Sequence, residues 1–214
     1  MKRMSTQTGL RGLGAAWLAL ALAGAASGAV TNYVDANRPD DSGDGSSWET
    51  AKKTLQAAID ITTVAGDTVL VTNGVYDLGG AVTPGYSLTN RVCLTNPIVV
   101  RSVNGWEHTI IKGAESSGGG CGTGALRCVY ITNGACLSGF TLSNGYMMAS
   151  GDVRFEQSGG GAFFERGGIV SNCLFVGGEA VYTCGGRGMG AYLYSGGKLD
   201  DCTLRDFNAF GNDP

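Results

Sequence analysis

The feature that most constrains this chain is an internal repeat. Gly161-Ala162-Phe163-Phe164-Glu165-Arg166-Gly167-Gly168-Ile169-Val170-Ser171-Asn172-Cys173-Leu174-Phe175 aligns without gaps on Gly190-Ala191-Tyr192-Leu193-Tyr194-Ser195-Gly196-Gly197-Lys198-Leu199-Asp200-Asp201-Cys202-Thr203-Leu204, an offset of 29 (190 − 161). One unit earlier, residues 128–142 align at an offset of 33 (161 − 128). Each copy reads as a short alternating run, an Asn-Gly or Gly-Gly turn, and a second short apolar run, which is the grammar of β-structure. Near-identical units of about 30 residues recur best when each lies on the one before, because no single unit can bury its own apolar face. The expected fold is therefore all-β: a right-handed parallel β-helix.

Stacking turns each repeat position into a ladder along the solenoid axis, with coils about 4.8 Å apart. Val129, Ala162 and Ala191, then Ile131, Phe164 and Leu193, are expected to point inward. Leu142, Phe175 and Leu204 do the same on the following strand, with Phe140, Cys173 and Cys202 beside them. Cys173 and Cys202 are expected to act as core packing, since a buried thiol behaves as a small hydrophobe.

Earlier strands are expected at Thr68–Val71, Arg91–Leu94, Ile98–Arg101 and Thr109–Ile111, separated by turn signals such as Asn73-Gly74 and Asn104-Gly105. From Trp48 to Thr63 the apolar spacing is helical, with Ser47 placed as an N-cap and Gly66 just past the end. Such a helix would cover the first coil, whose interior and strand edges are otherwise open. The third copy is followed closely by Asn212-Asp213-Pro214 with no capping repeat, so the helix is expected to be truncated there or covered by another chain.

Composition fits an exported protein. The chain has 43% apolar and 15% charged residues, enough to build a core, and 37 glycines with only four prolines and no collagen period, which assigns glycine to turns. Lys2, Arg3 and Arg11 precede an apolar run at Leu13–Ala23 and the small residues Ser27-Gly28-Ala29, the pattern of a secretory signal peptide spanning 1–29. The run is shorter than the roughly 20 residues a bilayer needs, so no membrane span is expected after cleavage. The domain plan is then a signal peptide at 1–29, a cap segment at 30–66 and β-helix coils over 67–214. The mature chain carries 12 basic and 18 acidic residues, a formal charge of −6 (12 − 18). Nucleic acid is an unsuitable partner for such a surface. Seven cysteines permit disulfides in an oxidising compartment, with Cys121 and Cys128 the first pair to consider; Cys184 falls in another glycine-rich excursion.

Several stretches resemble the start of bacterial right-handed β-helix proteins of the pectate-lyase-like superfamily. They are Tyr33-Val34-Asp35-Ala36, Gly43-Asp44-Gly45-Ser46-Ser47-Trp48, Thr54-Leu55-Gln56-Ala57-Ala58-Ile59, residues 66–76, Arg101-Ser102-Val103-Asn104-Gly105 and Leu137-Ser138-Gly139-Phe140-Thr141-Leu142. The resemblance covers nearly all of residues 31–205 and implies the fold and an extracellular or cell-surface setting. The superfamily mixes lyases, hydrolases, epimerases and adhesins, so fold does not name function.

A lyase would gather acidic calcium ligands and a basic proton acceptor. The available charges, Asp152, Glu156, Glu165, Arg166, Arg187, Asp200, Asp201, Arg205 and Asp206, form no repeated carboxylate ladder and read as turn residues. His108 has no nucleophile motif beside it and reads as a surface histidine. Asp40-Asp41-Ser42-Gly43-Asp44-Gly45 begins like a calcium loop, but Ala51 stands at the twelfth position where a bidentate glutamate belongs. No cofactor or structural metal is therefore expected, with calcium at this loop as the alternative. The sharper feature is an outward ladder of Tyr130, Phe163 and Tyr192, followed two residues on by Thr132, Glu165 and Tyr194. Aromatic faces suit sugar rings, so Tyr130, Phe163, Tyr192, Tyr194 and Glu165 make a candidate carbohydrate strip; the plainer alternative places the aromatics under the long loops at 146–158 and 176–189. The expected function is an exported, non-catalytic β-helix that contacts extracellular polysaccharide or cells, with a polysaccharide lyase or glycoside hydrolase as the alternative.

Overall fold

The computed structural model describes residues 28–177 and 187–207. The expected signal segment up to residue 27, Cys184 and most of the 176–189 loop lie outside the described residues. In chain order the elements are β1 (Thr31–Val34), α1 (Leu55–Ile61), β2 (Thr68–Val71), β3 (Gly74–Tyr76), β4 (Ala81–Val82), β5 (Thr89–Leu94), β6 (Val99–Ser102), β7 (Thr109–Lys112) and β8 (Leu126–Ile131). They continue as β9 (Cys136–Ser138), β10 (Thr141–Ser143), β11 (Ala162–Arg166), β12 (Ile169–Ser171), β13 (Leu174–Val176), β14 (Ala191–Ser195), β15 (Lys198–Asp200) and β16 (Thr203–Arg205).

These strands form three sheets, ordered β1-β2-β6-β9-β12-β15, β3-β7-β10-β13-β16 and β4-β5-β8-β11-β14, here the first, second and third sheets. Every pairing is parallel except β4 with β5. The chain visits the third, first and second sheets in turn and repeats, which makes a parallel β-solenoid of about five turns. Its register is that of the repeat: Val129, Ala162 and Ala191 stand side by side, as do Ile131, Phe164 and Leu193, and Leu142, Phe175 and Leu204.

One core runs along the axis. It holds Val34, Val69, Val71, Val92, Leu94, Val100, Val129, Ile131, Leu137, Phe140, Leu142, Phe164, Val170 and Phe175, all buried. Each such side chain contributes roughly 1.5–3 kcal/mol relative to leaving it in water. Cys173 belongs to this core and Cys202 packs against it. In the last coil the same ladder positions open, with Leu193 41% and Leu204 46% exposed where Phe164 and Phe175 are at 0%.

The turns are set by residues that tolerate a left-handed backbone. Between the first and second sheets, Gly139, Asn172 and Asp201 occupy the same place in successive coils with φ of 80°, 47° and 49°. Asn and Asp reach this region more cheaply than other side chains, and glycine reaches it freely.

The cap differs from the sequence expectation in its length. The helix spans Leu55–Ile61 rather than 48–63, and its N-cap is Thr54, whose hydroxyl accepts from Ala57 N, in place of Ser47. The reason lies in residues 50–54: Lys52 bridges to Val34 in parallel fashion, and the Asp41 carboxylate accepts from Lys53 N at 2.7 Å and Thr54 N at 2.8 Å. An extended, bridged segment cannot also be helical, so the helix starts one residue after the cap. Leu55, Ala58 and Ile59 then bury against the first coils. Residues 30–66 also supply β1, the first strand of the first sheet, so the cap segment is part of the solenoid itself.

Candidate functional site

The side chains with functional potential converge on the outer face of the third sheet. There the outward ladder consists of Cys93, Tyr130, Phe163 and Tyr192 in strict register. Tyr130 and Phe163 stack with centroids 5.9 Å apart and planes 4° from parallel, and Phe163 meets Tyr192 at 5.7 Å.

Two loops close over this ladder. Phe155, from the 146–158 loop, packs on Phe163 at 5.3 Å, on Tyr194 at 5.3 Å and flat against Tyr86 at 4.2 Å. Glu156 ties the loops together: its carboxylate, 7% exposed, accepts from Ser87 N at 2.7 Å and Asp152 N at 2.8 Å. As a result Tyr130 is 1% exposed and Phe163 0%, and Tyr192 is half-buried. Their faces are taken by protein, so the middle of the expected strip is a second small core. Of the strip, Tyr194, 40% exposed, and half-buried Tyr192 and Glu165 present surface to solvent.

Beneath the lid lies Arg127, which nothing in the sequence singled out. It is the largest fully buried side chain in the described protein. Its guanidinium donates to Asn90 Oδ1 at 2.9 Å, Thr83 Oγ1 at 3.3 Å, and the carbonyls of Phe155 and Ser158 at 2.7 Å each, and lies 4.8 Å from the Phe163 ring centroid. Burial pulls its pKa down from the usual guanidinium value. Four oxygens and the ring face surround the two terminal nitrogens, while Nε is buried without a hydrogen-bond partner, and the bonds to the Phe155 and Ser158 carbonyls fix the 146–158 loop to the sheet.

Beside the covered ladder, on the next outward row, is a groove of about 300 Å³ lined by Pro84, Thr95, Tyr130, Thr132, Asn133, Glu165 and Arg166. Tyr130 contributes its phenol edge and donates its O–H to Glu165 Oε2. Burial, together with the hydrogen bond to Glu165, pushes the Tyr130 pKa up, so the phenol stays protonated. Asn133 supplies the left-handed residue of the adjoining turn, φ 54°, and its amide donates to Thr95 O at 3.0 Å. At the edge of the face Arg154 lies over the Tyr194 ring at 5.4 Å. The groove thus offers hydroxyls, an amide, a carboxylate and a guanidinium within one concave surface.

The other charges do not join it. Asp152 accepts from Arg154 N and Phe155 N within its own turn, Asp200 pairs with Lys198 at 2.9 Å on the first sheet, and Arg205 pairs with Asp206 at 3.5 Å at the end of the second. His108 is exposed in the turn before β7. In the loop that begins like a calcium site, the carboxylates are used internally: Asp41 holds Lys53 and Thr54, and Asp44 accepts from Thr50 Oγ1, Ser46 N and Ser46 Oγ. Those bonds, led by the one from Thr50, draw the Asp44 pKa down to about 2. Among the described residues no group of three or more His, Cys, Asp or Glu side chains could hold a metal ion.

The cysteines correct one expectation. Cys121 is disulfide-bonded, but Cys128 is a free thiol, wholly buried, donating to Ser143 O at 3.1 Å. Burial pushes its pKa up to about 12. Cys128 faces the solenoid interior at the start of the β8 ladder, whereas Cys121 packs with Ala125, Tyr146 and Met147 in a separate cluster, so the short sequence separation of the two does not bring them together.

No helix among the described residues is long and apolar enough to cross a membrane. In comparisons with protein-family models, with curated proteins and with solved structures, none matches this chain.

Proposed function

We propose that this chain is an exported, non-catalytic β-helix protein of the pectate-lyase-like superfamily that contacts extracellular polysaccharide at the groove on its third sheet. The observation that carries the proposal is the groove itself. It combines the hydroxyls of Thr95 and Thr132, the Asn133 amide, the Glu165 carboxylate and the Arg166 guanidinium with the edge of Tyr130. A volume of about 300 Å³ is at the small end of ligand pockets, suited to a short stretch of sugar rather than a large cofactor. Side-chain hydroxyls, amides and paired charges are the groups that match sugar hydroxyls, and the exposed ring of Tyr194 offers a stacking surface on the same face. Export is supported by the basic, apolar and small-residue succession of residues 1–29.

The test is affinity electrophoresis of the mature protein in gels containing a panel of plant and bacterial polysaccharides. At least one polysaccharide should retard the protein, and the Arg166→Ala, Tyr194→Ala double variant should weaken that retention roughly tenfold, the equivalent of about 1.4 kcal/mol. Both side chains are exposed enough to be truncated without opening the core. Absence of retardation by every polysaccharide, or undiminished retention by the double variant, overturns the proposal. Appearance of an unsaturated uronate product during incubation would replace it with the lyase.

A further inference from the structure

We infer that Cys173 and Cys202 are a thiol pair built to close into a disulfide across two successive coils. The inference rests on placement. Both residues follow the left-handed turn residue between the first and second sheets, Asn172 in one coil and Asp201 in the next. Their neighbours Leu174 and Thr203 are direct register partners, and Thr203 N donates to Cys173 O at 3.0 Å, so the two cysteines stand one above the other. Coil spacing of about 4.8 Å falls inside the Cα separation of about 4.4–6.8 Å that a disulfide spans without moving the backbone.

Their mutual interaction holds the Cys173 thiol protonated and draws the Cys202 pKa down. Cys173 is buried, with its sulfur accepting from Phe140 N at 3.4 Å, whereas Cys202 is half-exposed beside Val170 O at 3.3 Å. An oxidant can therefore reach Cys202 first, and the buried partner is in place to resolve it. Cys93, Cys128 and Cys136 are the remaining free thiols in the described protein, and none shares a ladder with another cysteine.

The chemistry balances with a small disulfide as oxidant, such as oxidised glutathione. The Cys202 thiolate attacks one sulfur of the reagent and expels one glutathione thiolate, giving a mixed disulfide. Cys173 sulfur, losing its proton, then attacks the Cys202 sulfur and expels the second glutathione. The two protein thiols are oxidised by two electrons, and one reagent disulfide is reduced to two thiols. The product staples the last two described coils at the turn between the first and second sheets. It lies in the coil whose interior positions Leu193 and Leu204 are most open, where an added constraint has the most local opening to suppress.

The experiment uses the mature full chain, incubated with oxidised glutathione under native conditions and then denatured with alkylation of the remaining thiols. Digestion with trypsin and a Glu-specific protease yields residues 167–179 and 199–205, each with a single cysteine, Cys173 in one and Cys202 in the other. The expected result is a linked 167–179/199–205 peptide, with loss of two alkylatable thiols and an unchanged far-ultraviolet circular dichroism spectrum. Cys202→Ser should keep Cys173 fully alkylatable. Persistence of both thiols, a stable glutathione adduct on Cys202 without the linked peptide, or a link that appears only after loss of the β spectrum overturns the inference. It does not depend on polysaccharide binding.

Discussion

At the scale of single residues, Arg127 is the position where one side chain holds the most structure. It joins three parts of the chain: Asn90 on β5, Thr83 in the loop after β4, and the carbonyls of Phe155 and Ser158. Truncation would strand those acceptors under a lid that water does not enter, at a cost of about 1–3 kcal/mol for each buried group left unpaired. Arg127→Ala should therefore destabilise the protein by about 3–5 kcal/mol in urea unfolding, and Arg127→Lys by less, since a compact ammonium supplies fewer donors in a different geometry. The 146–158 loop should become protease-sensitive before the solenoid unfolds. Unchanged stability of Arg127→Ala would show that the loop is held by Phe155 and Glu156 alone.

At the scale of elements, adjacent coils approach closely enough at several glycines to leave no room for a Cβ. A Cβ placed on Gly161 would lie 2.2 Å from the Gly190 carbonyl oxygen and 2.9 Å from the Phe175 ring. Neither neighbour can yield: the carbonyl belongs to the coil above and accepts from Ala162 N at 3.0 Å, and Phe175 is at the centre of the core. Gly161→Ala should cost about 3 kcal/mol, the upper part of the range for overpacking, and should lower the thermal midpoint without changing the far-ultraviolet spectrum of the folded state. The repeat made this legible in part, because Gly161 and Gly190 are equivalent in the 29-residue alignment; that they are adjacent through space follows only once the coils stack. The helix shows the opposite case. Its apolar spacing extends over 48–63, yet Asp41 and Val34 hold residues 52–54 extended, and contacts from distant sequence override the local pattern.

At the scale of the whole molecule, a solenoid is held by nearest-neighbour stacking, so its stability varies along the axis. Coils with neighbours on both sides, around β8, β9, β11 and β12, bury Ile131, Leu137, Phe164 and Val170 completely, whereas in the coil of β14–β16 Leu193 and Leu204 are partly open. Native-state hydrogen exchange should reflect this gradient: amides of β8 and β11 should exchange slowest, and those of β14–β16 faster by about tenfold or more. Uniform protection along the axis would mean that the molecule opens as one unit. The sequence by itself determined the coil, the register and the side of each ladder, because periodic apolar spacing and turn residues repeat with the structure they build. It also separated inward from outward positions, placing Phe164 in the core and Phe163 outside it. What only the tertiary structure decided is the fate of the outward face. Phe155, Glu156 and Tyr86 come from loops that do not repeat, so no period announces that they cover Tyr130 and Phe163, that Arg127 lies sealed beneath them, or that a polar groove remains beside Glu165 and Arg166. Ladders are set by neighbours at fixed separation in the chain; lids and grooves are set by segments that meet only after folding.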